Sequence, residues 1–246
     1  MVEFSINGAF SADPRRPSIA DFGMMPAGGL LGLYTFDSAE TKLLDSSGNG
    51  AHATVDRDAL NVGYEQNCLK LNAGTPFGRL VLPINRAAPG RDPKHFTHIC
   101  VFRSARDALG YLIHDPDGAG ISMYRASTRT GYRYVTPQNA ADNITGEGAE
   151  PAGKSYDQFI MYGMAADGDR IYPVSDGKAW GAGQAISPNG VFQPNPASPI
   201  YTGDMYMQTD GLMGMLAIFD RKLSDIQLRG IYAYARQLMA GKGHSL

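Results

Sequence analysis

The sequence predicts an all-β chain, an antiparallel two-sheet jelly-roll sandwich with one C-terminal amphipathic helix. Three observations carry this expectation. Turn formers are dense: Gly supplies 30 of 246 residues and Pro 15, while charged residues make up only 19%. About a dozen short apolar or alternating runs are divided by turn signals, among them "DSSGNG", "DPDGAG", "ADGDR" and "SDGKAWGAG". Only one segment, "LSDIQLRGIYAYARQLMAGKG", keeps a helical period. Many short strands with one helix fit two stacked antiparallel sheets.

Residues 1–28 stand apart. They carry Pro14, Pro17 and Pro26 and the pair Arg15 and Arg16, with no sustained period, and read as an N-terminal arm. Residues 29–246 read as one sandwich domain that includes the helix. Its candidate strands are "LLGLYTF", "AHATV", "CLKLNA", "GRLVLPI", "HFTHICVFR", "GYLIH", "GISMYRA", "GYRYVTP", "DQFIMYGMA", "RIYPVS", "DMYMQ" and "LMGMLAIF". Alternation is plain in "FTHICVFR". Phe96, His98, Cys100 and Phe102 share one face, and Thr97, Ile99, Val101 and Arg103 the other. Both faces are partly apolar, which predicts a strand covered on both sides. The helix opens on a capping box, Ser224 with Gln227 three residues on, and Asp225 suits its positive end. Leu228, Ile231, Tyr232, Ala235 and Leu238 form its apolar stripe, and Gly241 is the expected stop.

Charge and composition exclude several classes of partner. A net charge of −2 gives no electrostatic case for nucleic acid or an anionic membrane surface. No apolar run approaches the roughly 20 residues of a membrane span. The opening "MVEFSINGAFSADPRRP" lacks the apolar core and cleavage site of a secretion signal, so synthesis in a cytoplasm is expected. Cys68 and Cys100 are too few for a disulfide framework and are expected as free, buried thiols.

The order of motifs resembles laminin-G-like domains of the concanavalin A-like lectin-glucanase superfamily. "GLYTFDSAETKLLDSSGNGAHATV" is similar to the family's opening strand, its aromatic-Asp pair (Phe36 and Asp37) and its Asp-x-Ser-Gly-Asn-Gly turn (Asp45 to Gly50). "NCLKLNAGTPFGRLVLP", "FTHICVFRS" and "DQFIMYGMAADGDRIYPVSDGKAW" resemble the strands that follow, and "GLMGMLAIFDRKLSDIQLRGIY" the closing strand and helix. The resemblance covers about residues 29–236. It implies that the first and last strands, near Leu33 and Leu216, are neighbours in one sheet. It also implies a structural calcium held partly by acids in the closing strand. Here Gly214 and Met215 stand at those positions, leaving Asp37 and Asp45 as the remaining metal candidates. Calcium takes six to eight oxygens, so the expectation is no metal and no cofactor, and a turn in which Gly and Asn supply the reversal.

Catalytic patterns are missing. The superfamily's glycosidases place carboxylates as Glu-x-Asp-x-x-Glu on one strand. The five glutamates Glu3, Glu40, Glu65, Glu147 and Glu150 do not form that pattern. Glu147 and Glu150 read as part of a solvated turn, and the pairs Asp115/Asp117 and Asp167/Asp169 as hairpin turns. His52, His95, His98, His114 and His244 are scattered, and no nucleophile elbow or zinc motif occurs. "MYRASTRTGYRYV" interleaves Tyr with Arg, which in a near-neutral chain reads as protein surface, not a nucleic-acid reader.

The expectation is therefore a non-enzymatic protein. Aromatic and polar loop residues are the candidates for glycan contact: Tyr111, His114, Asp115, Tyr132, Tyr134 and Trp180. Phe4, Ile6, Phe10 and Phe22 are candidate apolar anchors of the arm. A lectin-like sandwich with a docking arm and no leader points to a bacteriophage structural protein, a capsid decoration or a tail or fibre component. It would form homo-oligomers, join other virion proteins and adhere to host glycans. A stand-alone carbohydrate-binding module is the alternative, and a glycoside hydrolase or lyase the weaker one.

Overall fold

A computed structural model describes residues 26, 28–56, 62–71, 78–84, 89–92, 94–104, 110–113, 121–126, 129–136, 139–149, 157–168, 170–179, 183–185, 199–203 and 210–246, with the backbone alone at 110–111, 121–149 and 184–185. In chain order the strands are β1 (Leu30–Tyr34), β2 (Thr54–Val55), β3 (Val62–Glu65), β4 (Cys68–Leu71), β5 (Leu80–Leu82), β6 (His95–Ser104), β7 (Gly110–Ile113) and β8 (Ile121–Ala126). Then come β9 (Arg129–Thr136), β10 (Asn139–Ala149), β11 (Ile160–Asp167), β12 (Arg170–Ser175), β13 (Lys178–Ala179), β14 (Gln184–Ala185), β15 (Ile200–Thr202) and β16 (Gly211–Phe219). The helix α1 (Asp225–Gly241) closes the chain.

A nine-stranded antiparallel sheet runs β13-β12-β11-β6-β16-β4-β3, with β1 also on β16 and β14 also on β12. Two smaller antiparallel sheets run β10-β9-β8-β7 and β15-β5-β2. They meet where the Thr202 hydroxyl donates to the Leu112 carbonyl at 2.6 Å. The expected closure is present: Leu33 pairs with Ala217 and Tyr34 with Leu216.

The large sheet is buried on both faces. On one face Tyr34, Leu71, Cys100, Phe102, Tyr162 and Leu216 pack with Leu80 and Leu82 of β5, Ile200 of β15 and Leu112 and Ile113 of β7. On the other, Leu33, Ile99, Val101, Met161, Met215 and Ala217 meet Leu228, Ile231, Tyr234, Ala235 and Leu238 of the helix. This explains why all nine residues of β16 are buried. The split in β6 follows the alternation read from the sequence, with Cys100 and Phe102 on the inner side and Ile99 and Val101 under the helix.

A bulge keeps β16 in step. Met213 pairs with Phe102 and Met215 with Val101, so the strand carries one extra residue, Gly214. A Cβ at Gly214 would lie 2.3 Å from Met239 Sδ. The acid-bearing positions implied by the resemblance are thus occupied by a helix-packed bulge.

Several elements differ from expectation. The "AHATV" run shortens to Thr54–Val55. The strands β3, β10, β13, β14 and β15 were not anticipated, and Glu147, expected in a solvated turn, pairs with Gly131 inside β10. The helical stripe buries Tyr234 where Tyr232 was expected, because the docked face is rotated toward residues 234, 235, 238 and 239. Its end is a Schellman stop. Gly243 takes the left-handed position at φ 86°. Gly243 N donates to the Ala240 carbonyl at 3.0 Å and His244 N to the Met239 carbonyl at 2.8 Å. The stop glycine is therefore Gly243. Run "DMYMQ" and the anchors Phe4, Ile6, Phe10 and Phe22 lie outside the described residues.

Candidate functional site

The turn at Asp45 is built from side chains. Asp45 accepts from Leu33 N and Ser47 N, both at 2.9 Å, from the Ser47 hydroxyl at 2.8 Å and from Ala51 N at 3.1 Å. Asn49 Nδ2 donates to the carbonyls of Leu30 at 2.8 Å and Leu31 at 3.2 Å, and Ser46 N to that of Leu33 at 2.6 Å. These bonds satisfy the outer edge of β1, which would otherwise present open backbone groups. The Asp45 carboxylate faces hydrogen-bond donors, the opposite of a cation's needs. Asp37 accepts from the Thr35 hydroxyl. No group of three His, Cys, Asp or Glu suited to a metal occurs among the described residues.

A different site forms where β6 ends and β16 begins. Leu212 pairs with Arg103 on one side and Lys70 on the other, so two cations flank it in one row across three strands. Gly211 pairs with Ser104. Glu65, Lys70, Arg103, Ser104, Asp210, Gly211 and Leu212 line an open cleft. Lys70 Nζ lies 2.6 Å from Glu65 Oε2. Arg103 Nη2 donates to Gln66 Oε1 at 2.9 Å, and its guanidinium sits 5.1 Å above the Phe159 ring. The hydrogen bond and charge of Lys70 hold Glu65 below the ordinary carboxylate range, and Glu65 in turn raises Lys70. Ser104 is 2% exposed. Its hydroxyl has no hydrogen-bond partner among the described residues, an uncommon state for a buried polar group.

The chain terminus braces this end. The β3–β4 hairpin turns through Gln66 and Asn67, both left-handed at φ 52° and 58°. Their carbonyls are held by the C-terminus: Lys242 Nζ donates to Asn67 O at 2.6 Å, and a ring nitrogen of His244 lies 2.7 Å from Gln66 O. The same ammonium reaches the carbonyls of Thr35 and Phe36. Residues presenting Glu65, Gln66 and Lys70 are thus fixed by a rigid tie.

The residues anticipated for glycan contact fall elsewhere. Tyr111 pairs with Tyr124, while Tyr132 and Tyr134 pair with Met123 and Ile121, so Tyr111 holds a position on one face of the four-stranded sheet and the other two on the opposite face. His114, Asp115 and Trp180 lie outside the described residues. The cleft residues were missed because they come from three distant stretches. The one local signal was Arg103, a charge ending an otherwise apolar strand.

Comparison with solved structures bears on the fold. The binding domain of botulinum neurotoxin DC in complex with rat synaptotagmin II is similar at a TM-score of 0.67 and 14% identity, covering 84% of this chain and 52% of that one. A botulinum neurotoxin type C structure, concerned with interaction with two ganglioside molecules, gives 0.66 and 13%, covering 85% and 51%. The neurotoxin DC binding domain in complex with SialylT gives 0.66 and 15%, covering 85% and 52%. The shared property is the fold. It is a β-sandwich, and this chain spans about half the length of the chains it matches. No protein-family model matches the sequence. No curated protein matches it either.

Proposed function

We propose that this chain is a non-enzymatic, lectin-like recognition domain that binds a glycan in the cleft between Glu65, Lys70, Arg103, Ser104 and Asp210. One observation carries the reading: Lys70 and Arg103 flank Leu212 in one row across paired strands, with Glu65 and Asp210 beside them in the same open cleft. The structural neighbours support the class, since two of them are associated with a ganglioside or with SialylT. A glycosidase needs a general acid whose carboxyl is held above its ordinary range. Glu65 is shifted the other way by Lys70. The test is to incubate the full chain with a panel of defined oligosaccharides, scoring both retention and release of reducing ends. Retention without release is expected. Turnover would replace this reading with a hydrolase.

The finer reading is a component of a virus particle, a capsid decoration or a tail or fibre protein, working as a homo-oligomer with other virion proteins. It rests on the sequence of residues 1–28. A segment broken at Pro14, Pro17 and Pro26 cannot repay its ordering entropy, roughly 1–2 kcal/mol per residue, by local hydrogen bonds. Burial of Phe4, Ile6, Phe10 and Phe22 against a neighbour would offset part of that cost, about 1.5–3 kcal/mol for each side chain.

A further inference from the structure

Three main-chain carbonyls from two loops converge on one point beside the end of the helix. Thr35 O and Phe36 O belong to the segment that leaves β1, and Asn67 O to the β3–β4 turn. Lys242, the C-cap residue of α1, places its ammonium among them, 2.9 Å from Phe36 O and 2.6 Å from Asn67 O. An ammonium has three N–H donors and no acceptor, so three carbonyls match it donor for donor. We infer that the carbonyls of Thr35, Phe36 and Asn67 form a preformed receptor for a small cation of the ammonium class, with Lys242 as its built-in occupant.

The carbonyls are aimed by the fold as well as by the lysine. Phe36 and Asn67 both lie in the left-handed region, at φ 49° and 58°. For an aromatic residue that conformation is rare, and it persists only where the surroundings fix it. The Phe36 ring is buried and stacks on Tyr34, with centroids 6.3 Å apart, so its backbone turns only if the core moves. The two loops are also joined without Lys242, since the Tyr64 hydroxyl of β3 donates to Asp37 O at 2.6 Å. Three neutral oxygens fall well short of the six to eight that calcium takes, and they suit a single charge. The negative end of the helix dipole at the C-cap favours a cation at the same place. Lys242 follows Leu238 and Met239, which pack in the core, so its ammonium is held at a high effective concentration against free cations.

The experiment is chemical rescue. Lys242→Ala in the full chain removes the occupant and leaves the carbonyls. It is melted in ammonium, methylammonium and tetramethylammonium chloride up to about 200 mM, at constant ionic strength, with shifts read against the wild type in the same salt. Ammonium and methylammonium should raise the variant's melting temperature and leave the wild type, whose site is filled, unmoved. Ligands of one or two non-hydrogen atoms reach a Kd of about 10 mM at best, so rescue should build over tens of millimolar. Tetramethylammonium has no N–H to donate and should not rescue. Equal rescue by all three salts, or none in a folded variant, would overturn the inference. A second measurement needs no variant. On the folded wild type, an acetylating reagent should label Lys242 at least about tenfold more slowly than exposed Lys178, because the caged ammonium must first leave its acceptors. Equal labelling rates would overturn the inference as well.

Discussion

Asp45 Oδ1 accepts the backbone N–H of Leu33 at 2.9 Å, joining the turn to the outer edge of the first strand. Asp45 is buried, and its two oxygens serve four donors. Asp45→Ala should therefore orphan a buried N–H and loosen the whole turn. Leaving one buried group unsatisfied costs roughly 1–3 kcal/mol, so a loss of about 3 kcal/mol is expected in chemical denaturation. A change below half of that would show that water replaces the carboxylate freely.

Chelation should leave stability alone. The oxygens of Asp45 already accept from protein donors, and the Gly214–Met215 bulge packs under the helix. Melting in EDTA and in millimolar calcium should coincide. A rise of many degrees with calcium would reveal ligation by another route.

Lys242 gives a sharper test of the C-terminal tie. Its ammonium serves three carbonyls on two separate loops. Charge-assisted hydrogen bonds contribute about 1.5–3 kcal/mol, so Lys242→Met should destabilise by that order. Amide exchange near Gln66 and Asn67 should quicken more than exchange in the core strands. Uniform quickening would mean the tie is global and does not act on the hairpin.

Two glycines should respond very differently to alanine. Gly203 has φ 79°, and a Cβ there would fall 2.2 Å from the Gly78 carbonyl oxygen. Gly48 has φ 88° with nothing within 4 Å. Gly48→Ala should cost only the left-handed backbone penalty, roughly 1–2 kcal/mol. Gly203→Ala adds a clash with main chain, so its loss on the same denaturation curve should be clearly larger. Equal losses would show that the 78–79 segment moves aside easily.

The thiols should be silent. Burial pushes Cys68 up to about 11 and raises Cys100 further. Both stay protonated at neutral pH, so an alkylating reagent should label the folded chain only at the rate of its opening. Labelling within seconds at pH 7.5 would contradict the burial.

Removing residues 1–28 tests the assembly reading. Sedimentation should show a smaller species while melting is kept. Loss of melting from an unchanged oligomer would place the arm within its own domain's core.

Local chemistry was legible in the sequence. The Ser224–Gln227 box lies within four residues, and its bonds form as expected: Ser224 N donates to Gln227 Oε1 at 3.0 Å, and Gln227 N donates back to the Ser224 hydroxyl at 3.4 Å. The two faces of β6 followed from alternation alone. What escaped was decided by partners. Strand β10 is rich in Gly, Asn and Asp, poor strand formers, and is held by pairing to β9. Choosing between Tyr232 and Tyr234 required knowing where the helix docks. The cleft depends on Leu212 standing between Lys70 and Arg103, a register that no short window contains. The six anticipated glycan residues were chosen for loop setting and aromatic character, which do not specify a common face.

The placement of β16 bears on how the chain can come together on the ribosome. This strand joins β1, β4 and β6, yet it is the last strand made. Until residue 219 has emerged, β1 has no partner in its own sheet, and β6 has only β11. The nascent chain must carry the apolar strand "LLGLY" through most of its synthesis with the edge that β16 fills unpaired. Pairings that span so much sequence close slowly and expose the chain to wrong associations meanwhile. A chaperone that holds unpaired strands should thus govern its yield more strongly than any single contact in the finished sandwich.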